Sequence, residues 1–473
     1  MDNNSPPQSI NLLTLNCWGI KYVTSLRTQR LAEIGRRIAE AEPTPDIVGL
    51  QECFSRDDYE SIREQARQIL PYAKHYYAGP FGAGLAILSR WPFEETSMVH
   101  YSLNGLPTAF FHGDWYAGKG VACARVRYGP ASDEVIDVFN THMHASYSSD
   151  AYPCHRTGQA WEFAKLLRAT MARRHGRQLV VALGDLNTDT HELPWYIIKT
   201  LVPTLHDTWT ERSPSSDLRT EEVQSRSDME NSNRRLQSDD GTTYGSPQNT
   251  WHWTRKQRSQ YLKHHDENGG LAVLPDPDCS QTARIDYILA STGVQDKAML
   301  GRDDGVWMVA TAKVGMLERH PILGCSLSDH FSIETTVAFQ EEIPLSLSPQ
   351  QSSESQKTKS VPTSGVQNTD IPSKEQVLDR ILGTLHAYEL VRRRRMRWRM
   401  VRLGGAGVTL FGSLVGVWVV NHVGWARFLL ALAGVAATTL LVIDGFGGYL
   451  STRTETAALE EFKWEVENEQ RKG

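Results

Sequence analysis

The chain has 473 residues, 40% hydrophobic and 22% charged, with a formal net charge of −5. That is ordinary globular material, long enough for one large domain with appendages, and it lacks the overall basic field that non-specific nucleic-acid binders use. Six cysteines are scattered without a CxxC pair, which argues against a disulfide framework or thiolate zinc site and for reduced thiols.

Residues 1–9 read as a disordered N-terminus. They have no basic stretch leading into an apolar run, so no secretory signal is expected. From Ile10 onwards short β-type runs alternate with helical periods: a strand in "INLLTLN", an amphipathic helix over Ser25 to Ala41, then strands in "DIVGLQE" and "GAGLAILS". "VIDVFNTHMHA", a helix over His155 to Arg174 and the strand "QLVVALGDLN" follow, with further strands in "ARIDYILAS" and "HFSIETTVAF". Strands flanked by helices, some joined without a crossover helix, predict a mixed α/β sandwich. The catalytic-type domain is expected over residues 10–341, with a polar insertion at about 211–282 that includes "SRSDMENSNRRLQSDDG".

The Ser/Gln/Pro-rich stretch 342–373 reads as a linker. Residues 374–403 read as a helix running into an arginine-rich juxtamembrane segment, with Arg392, Arg393, Arg394, Arg395, Arg397, Arg399 and Arg402. Two apolar runs, about 404–420 and 428–443, are each near one bilayer crossing in length and predict a transmembrane hairpin. The arginines then set topology or attract anionic lipid headgroups. A hairpin puts the domain and the tail 444–473 on the same side, so an integral membrane protein with a cytosol-facing catalytic domain is expected. Removal of 404–473 is expected to leave that domain soluble.

Several buried-type strands end in polar residues: Asn16, Gln51 with Glu52, His142 with His144, and Asp185 with Asn187. One such end is usually a loop cap, but their succession points to a shared site. Asn and Glu oxygens are hard ligands suited to Mg²⁺, which also uses water and substrate phosphate. A histidine near a water can act as general base, with a carboxylate on its other ring nitrogen, and Asp286 in "RIDYIL" could supply that carboxylate. "LSDHF" places Asp329 beside His330, a pair that alone is more often a turn.

"LNCWG", "DIVGLQE", "GLAILSRWP", "FNTHMHA", "GDLN", "RIDYIL" and "LSDHF", in that order, resemble the endonuclease/exonuclease/phosphatase superfamily, in its neutral sphingomyelinase and inositol phosphosphingolipid phospholipase C branch. The resemblance covers about Ile10 to Phe339, and the C-terminal hairpin is similar to that of fungal members. It implies a four-layer α/β/β/α sandwich and Mg²⁺-dependent, or alternatively Mn²⁺-dependent, hydrolysis of a phosphosphingolipid to ceramide and a phosphorylated headgroup. It further implies that Glu52 and Asn16 ligate the metal and that Asp329 positions the metal or its waters. Asp185 and Asn187 would contact the attacking water and scissile phosphate, His330 would be the base oriented by Asp286, and His142 would hydrogen-bond the phosphoryl oxygens.

"GDWYAGKG" lacks the Walker A pattern, because Lys119 is followed by Gly120 and a strand. The resemblance makes Asp114 and Lys119 a switch that couples anionic-phospholipid activation to the site; the residues alone also allow a glycine-rich hairpin with a surface ion pair. The aromatic-rich Tyr101 to Tyr116 reads either as a membrane-facing loop or as core. "DDGTTYGSPQNTWHW" marks where the insertion returns to the fold. Three functions compete with the phospholipase: a nuclease, which would want a basic surface and no anchor, an inositol polyphosphate phosphatase, and an inactive membrane scaffold. The sequence leaves open the headgroup and the membrane, endoplasmic reticulum or mitochondrial outer membrane.

Overall fold

The computed structural model describes residues 6–109, 112–146, 152–212, 240–259, 282–293, 305–341, 372–420 and 423–472. Most of the polar insertion, including "SRSDMENSNRRLQS", nearly all of the Ser/Gln/Pro-rich linker, and Phe110 and Phe111 lie outside the described residues.

Two six-stranded sheets face each other. The first runs in the order β11 (Val306–Gly315), β12 (Ser332–Gln340), β1 (Ser9–Asn16), β2 (Ile47–Gln51), β4 (Ala86–Ser89), β3 (Tyr72–His75). The second runs β5 (Phe93–His100), β6 (Gly120–Arg127), β7 (Val135–His142), β8 (Leu179–Asp185), β10 (Asp286–Ala290), β9 (His206–Asp207). Helices α1 (Arg27–Ala39) and α2 (Arg56–Ala66) cover the first sheet through Leu31, Ile34, Ile38 and Ile62. The second is covered by α4 (Pro153–Met171) and α5 (Leu193–Leu201) through Trp161, Phe163, Ile197 and Ile198. The short helices α3 (Asp114–Ala117) and α6 (Thr208–Glu211) lie in connections. This is the expected four-layer α/β/β/α sandwich. β1 begins at Ser9, inside the stretch read as disordered.

Side chains alternate across a strand, and that period decides where the polar strand ends point. On β1, Ile10 and Leu12 enter the inter-sheet core while Leu13 and Leu15 pack toward α1 and α2, so Asn16 continues the inter-sheet face. The same period puts Gln51 beyond Ile47, His142 beyond Ile136 and Val138, and Asp185 beyond Val181 and Leu183 on that face. The sheets approach closely there: a Cβ on Gly49 would stand 1.9 Å from Leu183 Cδ1, so only glycine fits. Gln51 Nε2 donates to Asn140 Oδ1 at 2.7 Å across the gap, and Asn140 Nδ2 returns to the carbonyls of Leu50 and Ala86. Apolar packing thus gives way to hydrogen-bonded amides just below the site.

After the linker, α7 (Lys374–Val419) runs unbroken from a capping box at Ser373. It turns into α8 (Gly424–Leu441), which continues through a π-helical turn (Val442–Gly447) into α9 (Gly448–Gln470). α7 and α8 carry the expected apolar runs and are candidate membrane spans by length and composition. Val408, Phe411, Leu414, Phe428, Leu432 and Val435 point outward, and exposed Trp418 and Trp425 flank the turn as interfacial aromatics do.

The residues read as juxtamembrane segment and tail are folded into the catalytic layers. Val377, Leu378 and Ile381 of α7 and Leu459, Phe462 and Val466 of α9 share a core with α4 and α5. The arginine block is largely engaged by the chain itself. Arg392 donates to Thr456, Arg393 to Glu389, Arg395 to Tyr388, Arg399 to the Gly448 carbonyl and Thr452, and Arg402 to Asp444. Arg394 and Arg397 have no such partner among the described residues.

Candidate active site

Strand register brings the polar ends together. Asn16 pairs with Gln51 across β1 and β2, His142 with Asp185 across β7 and β8, and Asp185 with Asp286 across β8 and β10. The cleft between the sheets therefore ends in Asn16, Glu52, His142, Asp185, Asp286, Asp329 and His330. All are buried or nearly so.

His330 Nδ1 meets Asp286 Oδ2 at 2.8 Å, and its Nε2 lies 3.9 Å from Asp185 Oδ2. Burial alone would lower the His330 pKa, but Asp286 and Asp185 outweigh it and hold the imidazole charged well above the ordinary range. Asp185, Asp286 and His330 offer ligand atoms within 4.8 Å of one another. The Nδ1–Asp286 hydrogen bond accounts for that closeness better than a shared ion does.

Asn16 Nδ2 donates to Glu52 Oε1 at 3.1 Å and Asp185 Oδ2 at 3.0 Å, while its Oδ1 accepts the Trp18 N–H at 3.0 Å. Glu52 Oε2 is buried without a hydrogen-bond partner. Burial, then its carboxylate neighbours, pushes up the pKa of Glu52, that of Asp185 to about 6 and that of Asp329 to about 7. Crowded buried carboxyls with a free oxygen form a donor set suited to a hard divalent cation. Ligation through Asn16 would require the amide to turn over and give up Trp18. Glu52 and Asn187 both have left-handed backbone, φ 53 and 47, local strain of the kind that collects at functional sites.

His142 is placed differently from the expected phosphoryl donor. Its Nε2 stands 3.1 Å from Lys119 Nζ, which also donates to the Met143 carbonyl at 2.7 Å and pairs with Asp114 Oδ1 at 2.7 Å. An ammonium has only donors to offer, so His142 Nε2 accepts and its proton sits on Nδ1, which is buried without a partner. Burial and then Lys119 hold the His142 pKa far down. The Asp114–Lys119 pair is thus buried and in contact with the site, and a surface ion pair is ruled out. Gly113 and Gly118, both left-handed, bracket the single helical turn that presents it.

Asn187 Nδ2 donates to the Met143 carbonyl at 3.1 Å, and its own carbonyl accepts Arg156 at 2.6 Å. In the aromatic-rich stretch, Tyr101, Leu103 and Leu106 join the core, whereas Trp115 is partly exposed and Tyr116 stacks on exposed Phe81.

Other residues at the site were given no role from the sequence. Residues 240–254 wrap over LSDHF: Asn249 Nδ2 donates to the Ser328 carbonyl, Trp251 Nε1 to that of Ser326, and the Tyr244 ring lies 5.0 Å from that of His330. Arg30 lies beneath, fully enclosed. It donates to the carbonyls of Ser25, Cys17, Leu327 and Trp18, and so ties the end of β1 to the turn before β12. Its signal was an arginine on the apolar face of α1, in step with Leu31, Ile34 and Ile38.

The pattern of the Endonuclease/Exonuclease/phosphatase family matches residues 13–330. An inositol phosphosphingolipids phospholipase C of Schizosaccharomyces pombe is 33% identical over 465 residues, covering 97% of this chain and 94% of its own. One from Saccharomyces cerevisiae is 30% identical over 496 residues, covering 98% and 91%. Sphingomyelin phosphodiesterase 2 of Homo sapiens is 32% identical over 204 residues, 43% of this chain and 46% of its own. The chain therefore belongs to the endonuclease/exonuclease/phosphatase family, in the branch of the inositol phosphosphingolipid phospholipases C and neutral sphingomyelinases.

Proposed function

We propose that the chain hydrolyses the phosphodiester of phosphosphingolipids, inositol phosphosphingolipids first, to ceramide and a phosphorylated headgroup. The observation that carries this is the buried His330–Asp286 pair facing Asp185, Asn16 and Glu52 at the end of the inter-sheet cleft. The two relatives that match nearly the whole chain favour the inositol headgroup over phosphocholine.

Once neutral at Nε2, His330 takes the proton of the attacking water there, while its Nδ1–H remains hydrogen-bonded to Asp286, which fixes the tautomer and stabilises the imidazolium that the raised pKa favours. Asp185 and Asn187 orient the water and the phosphate. His142 can offer Nε2–H to a phosphoryl oxygen only after Lys119 withdraws, so the Asp114–Lys119 contact gates that donor. Glu52, Asp329 and a turned Asn16 amide would hold Mg²⁺, or Mn²⁺, which when bound supplies positive charge opposite the phosphate oxygens. The outward apolar faces of α7 and α8 support anchorage in a membrane, so the site meets a substrate whose tails remain in the bilayer. Arg394 and Arg397 are left to attract anionic phospholipids.

The test is ceramide release by the purified full-length protein with Mg²⁺, on inositol phosphoceramide and sphingomyelin side by side. Release from inositol phosphoceramide is expected. Release from neither substrate, by protein that binds the metal, overturns the reading in favour of an inactive scaffold.

A further inference from the structure

His155 on α4 is enclosed, with its two ring nitrogens engaged in opposite directions. Nδ1 accepts the backbone N–H of Gly105 at 2.8 Å, so Nε2 carries the proton. Nε2 lies 3.1 Å from Glu455 Oε1 on α9 and 3.0 Å from Tyr388 Oη on α7. The Tyr388 hydroxyl itself donates to Glu455 Oε1 at 2.5 Å, and Arg395 donates to the Tyr388 hydroxyl at 3.4 Å.

The Gly105 end of this chain of contacts packs beside Asp114, the ion-pair partner of Lys119. Gly105 is left-handed at φ +77, and a Cβ there would stand 3.3 Å from His144 Nε2 and 3.8 Å from Asp114 Cβ. Next to it, Asn104 Nδ2 donates to the Lys119 carbonyl at 3.2 Å. A second arm runs in parallel: Arg395 lies over the Tyr152 ring at 5.6 Å, and that ring lies 5.2 Å from His144.

Docking of the helices does not call for this cluster. Apolar contacts of Leu378, Ile381, Leu459, Phe462 and Val466 hold them, with Lys165–Glu465 and Arg168–Glu469 pairs at the rim. A buried charged group within such an interface carries a desolvation cost and contributes direction rather than adhesion. The direction here is from the helix bases to Gly105.

We propose that Glu455, Tyr388 and His155 are positioning residues for the reaction. Through them the bases of the two membrane-directed helices hold Gly105, and with it Asp114 and Lys119, in place against His142. α7 is continuous from Tyr388 into its apolar run at Gly404, sixteen residues or about 24 Å at the helical rise. A tilt of the hairpin is therefore delivered to the loop that occupies the His142 donor atom.

The kinetic arm of the test rests on the proposed reaction; the exchange arm does not. Full-length protein in mixed micelles is compared with Glu455→Ala, Tyr388→Phe, the conservative Glu455→Gln, and Glu465→Gln as a control on the same interface. Glu455→Ala is expected to lower kcat by about 10- to 100-fold with KM unchanged, the size of effect produced by misplacing groups at a site. Amide exchange over residues 101–109 and 112–119 should accelerate about tenfold, with β1 and β8 unaltered. Glu455→Gln, which keeps the acceptor oxygen, should recover most of both, and Glu465→Gln should change neither. Parental kcat and exchange in both Glu455→Ala and Tyr388→Phe would overturn the proposal. Equal loss of protection over β1 and β8 would also overturn it, by assigning the cluster to general folding.

Discussion

At the residue scale, the site depends on which atoms are already committed. His330 uses Nδ1 on Asp286 and leaves Nε2 toward Asp185, so removing the ring removes the proton acceptor. His330→Ala is expected to lower kcat by roughly 10²- to 10⁴-fold, the usual contribution of a general base, with an unchanged circular dichroism spectrum. Activity near the parental level would exclude the role. Glu52 has a buried oxygen, Oε2, without a hydrogen-bond partner. Glu52→Gln keeps its shape and removes its charge, so calorimetric Mg²⁺ titration should give a Kd weaker by at least about tenfold. An unaltered Kd would remove Glu52 from the ligand set.

The element scale explains why those atoms meet. Each strand that carries a polar end keeps a strict period of two, and Asn16, Gln51, His142 and Asp185 all extend the inter-sheet stripe. The turn at Gly113 to Gly118 depends on two left-handed glycines, which let one helical turn aim Asp114 and Lys119 inward. α9 is docked by its apolar face, and the Glu455 charge adds a smaller, titratable share. Burial alone would raise the Glu455 pKa, but the hydrogen bonds from His155 and Tyr388, with Arg395 nearby, outweigh it and hold it below the ordinary carboxylate value. A depressed folded pKa contributes stability that is fully present above the unfolded value, about 4.3, and is lost as pH falls through the folded one. Amide protection of residues 448–470, corrected for intrinsic rates, should hold from pH 7 to about 5 and fall below that. Glu455→Gln should flatten this acid limb, and an unchanged limb would mean that other carboxylates set it.

For the whole molecule, the C-terminal fifth changes character between sequence and structure. Read along the chain, 374–473 is a linker-borne anchor with a tail. In space its first and last turns complete the outer layer over the second sheet. A chain ending at Leu403 loses Leu459, Phe462 and Val466, each worth about 1.5–3 kcal/mol when fully buried. Together they approach the 5–15 kcal/mol by which a typical domain is stable. Such a chain is expected to aggregate and bind a hydrophobic dye, and a monodisperse folded species would show that the α9 layer is dispensable.

The sequence by itself determined eight of the twelve strands, the α/β sandwich class, the set of polar strand ends and, through the resemblance those ends carry, the family and its four layers. These follow from local periodicity and from short motifs such as LSDHF and GDLN, which need no long-range information. It did not give Arg30, Asn249 or Tyr244 a role, because an arginine on an apolar helix face and a loop that folds over a turn do not show locally what they will touch. It offered His142 as a donor, whereas only packing shows its Nε2 already taken by Lys119. It also separated the long apolar helices from the site, since hydropathy along a chain records length and composition. Only the tertiary structure joined them, because His155 and Glu455, three hundred residues apart, meet at 3.1 Å in a shared core.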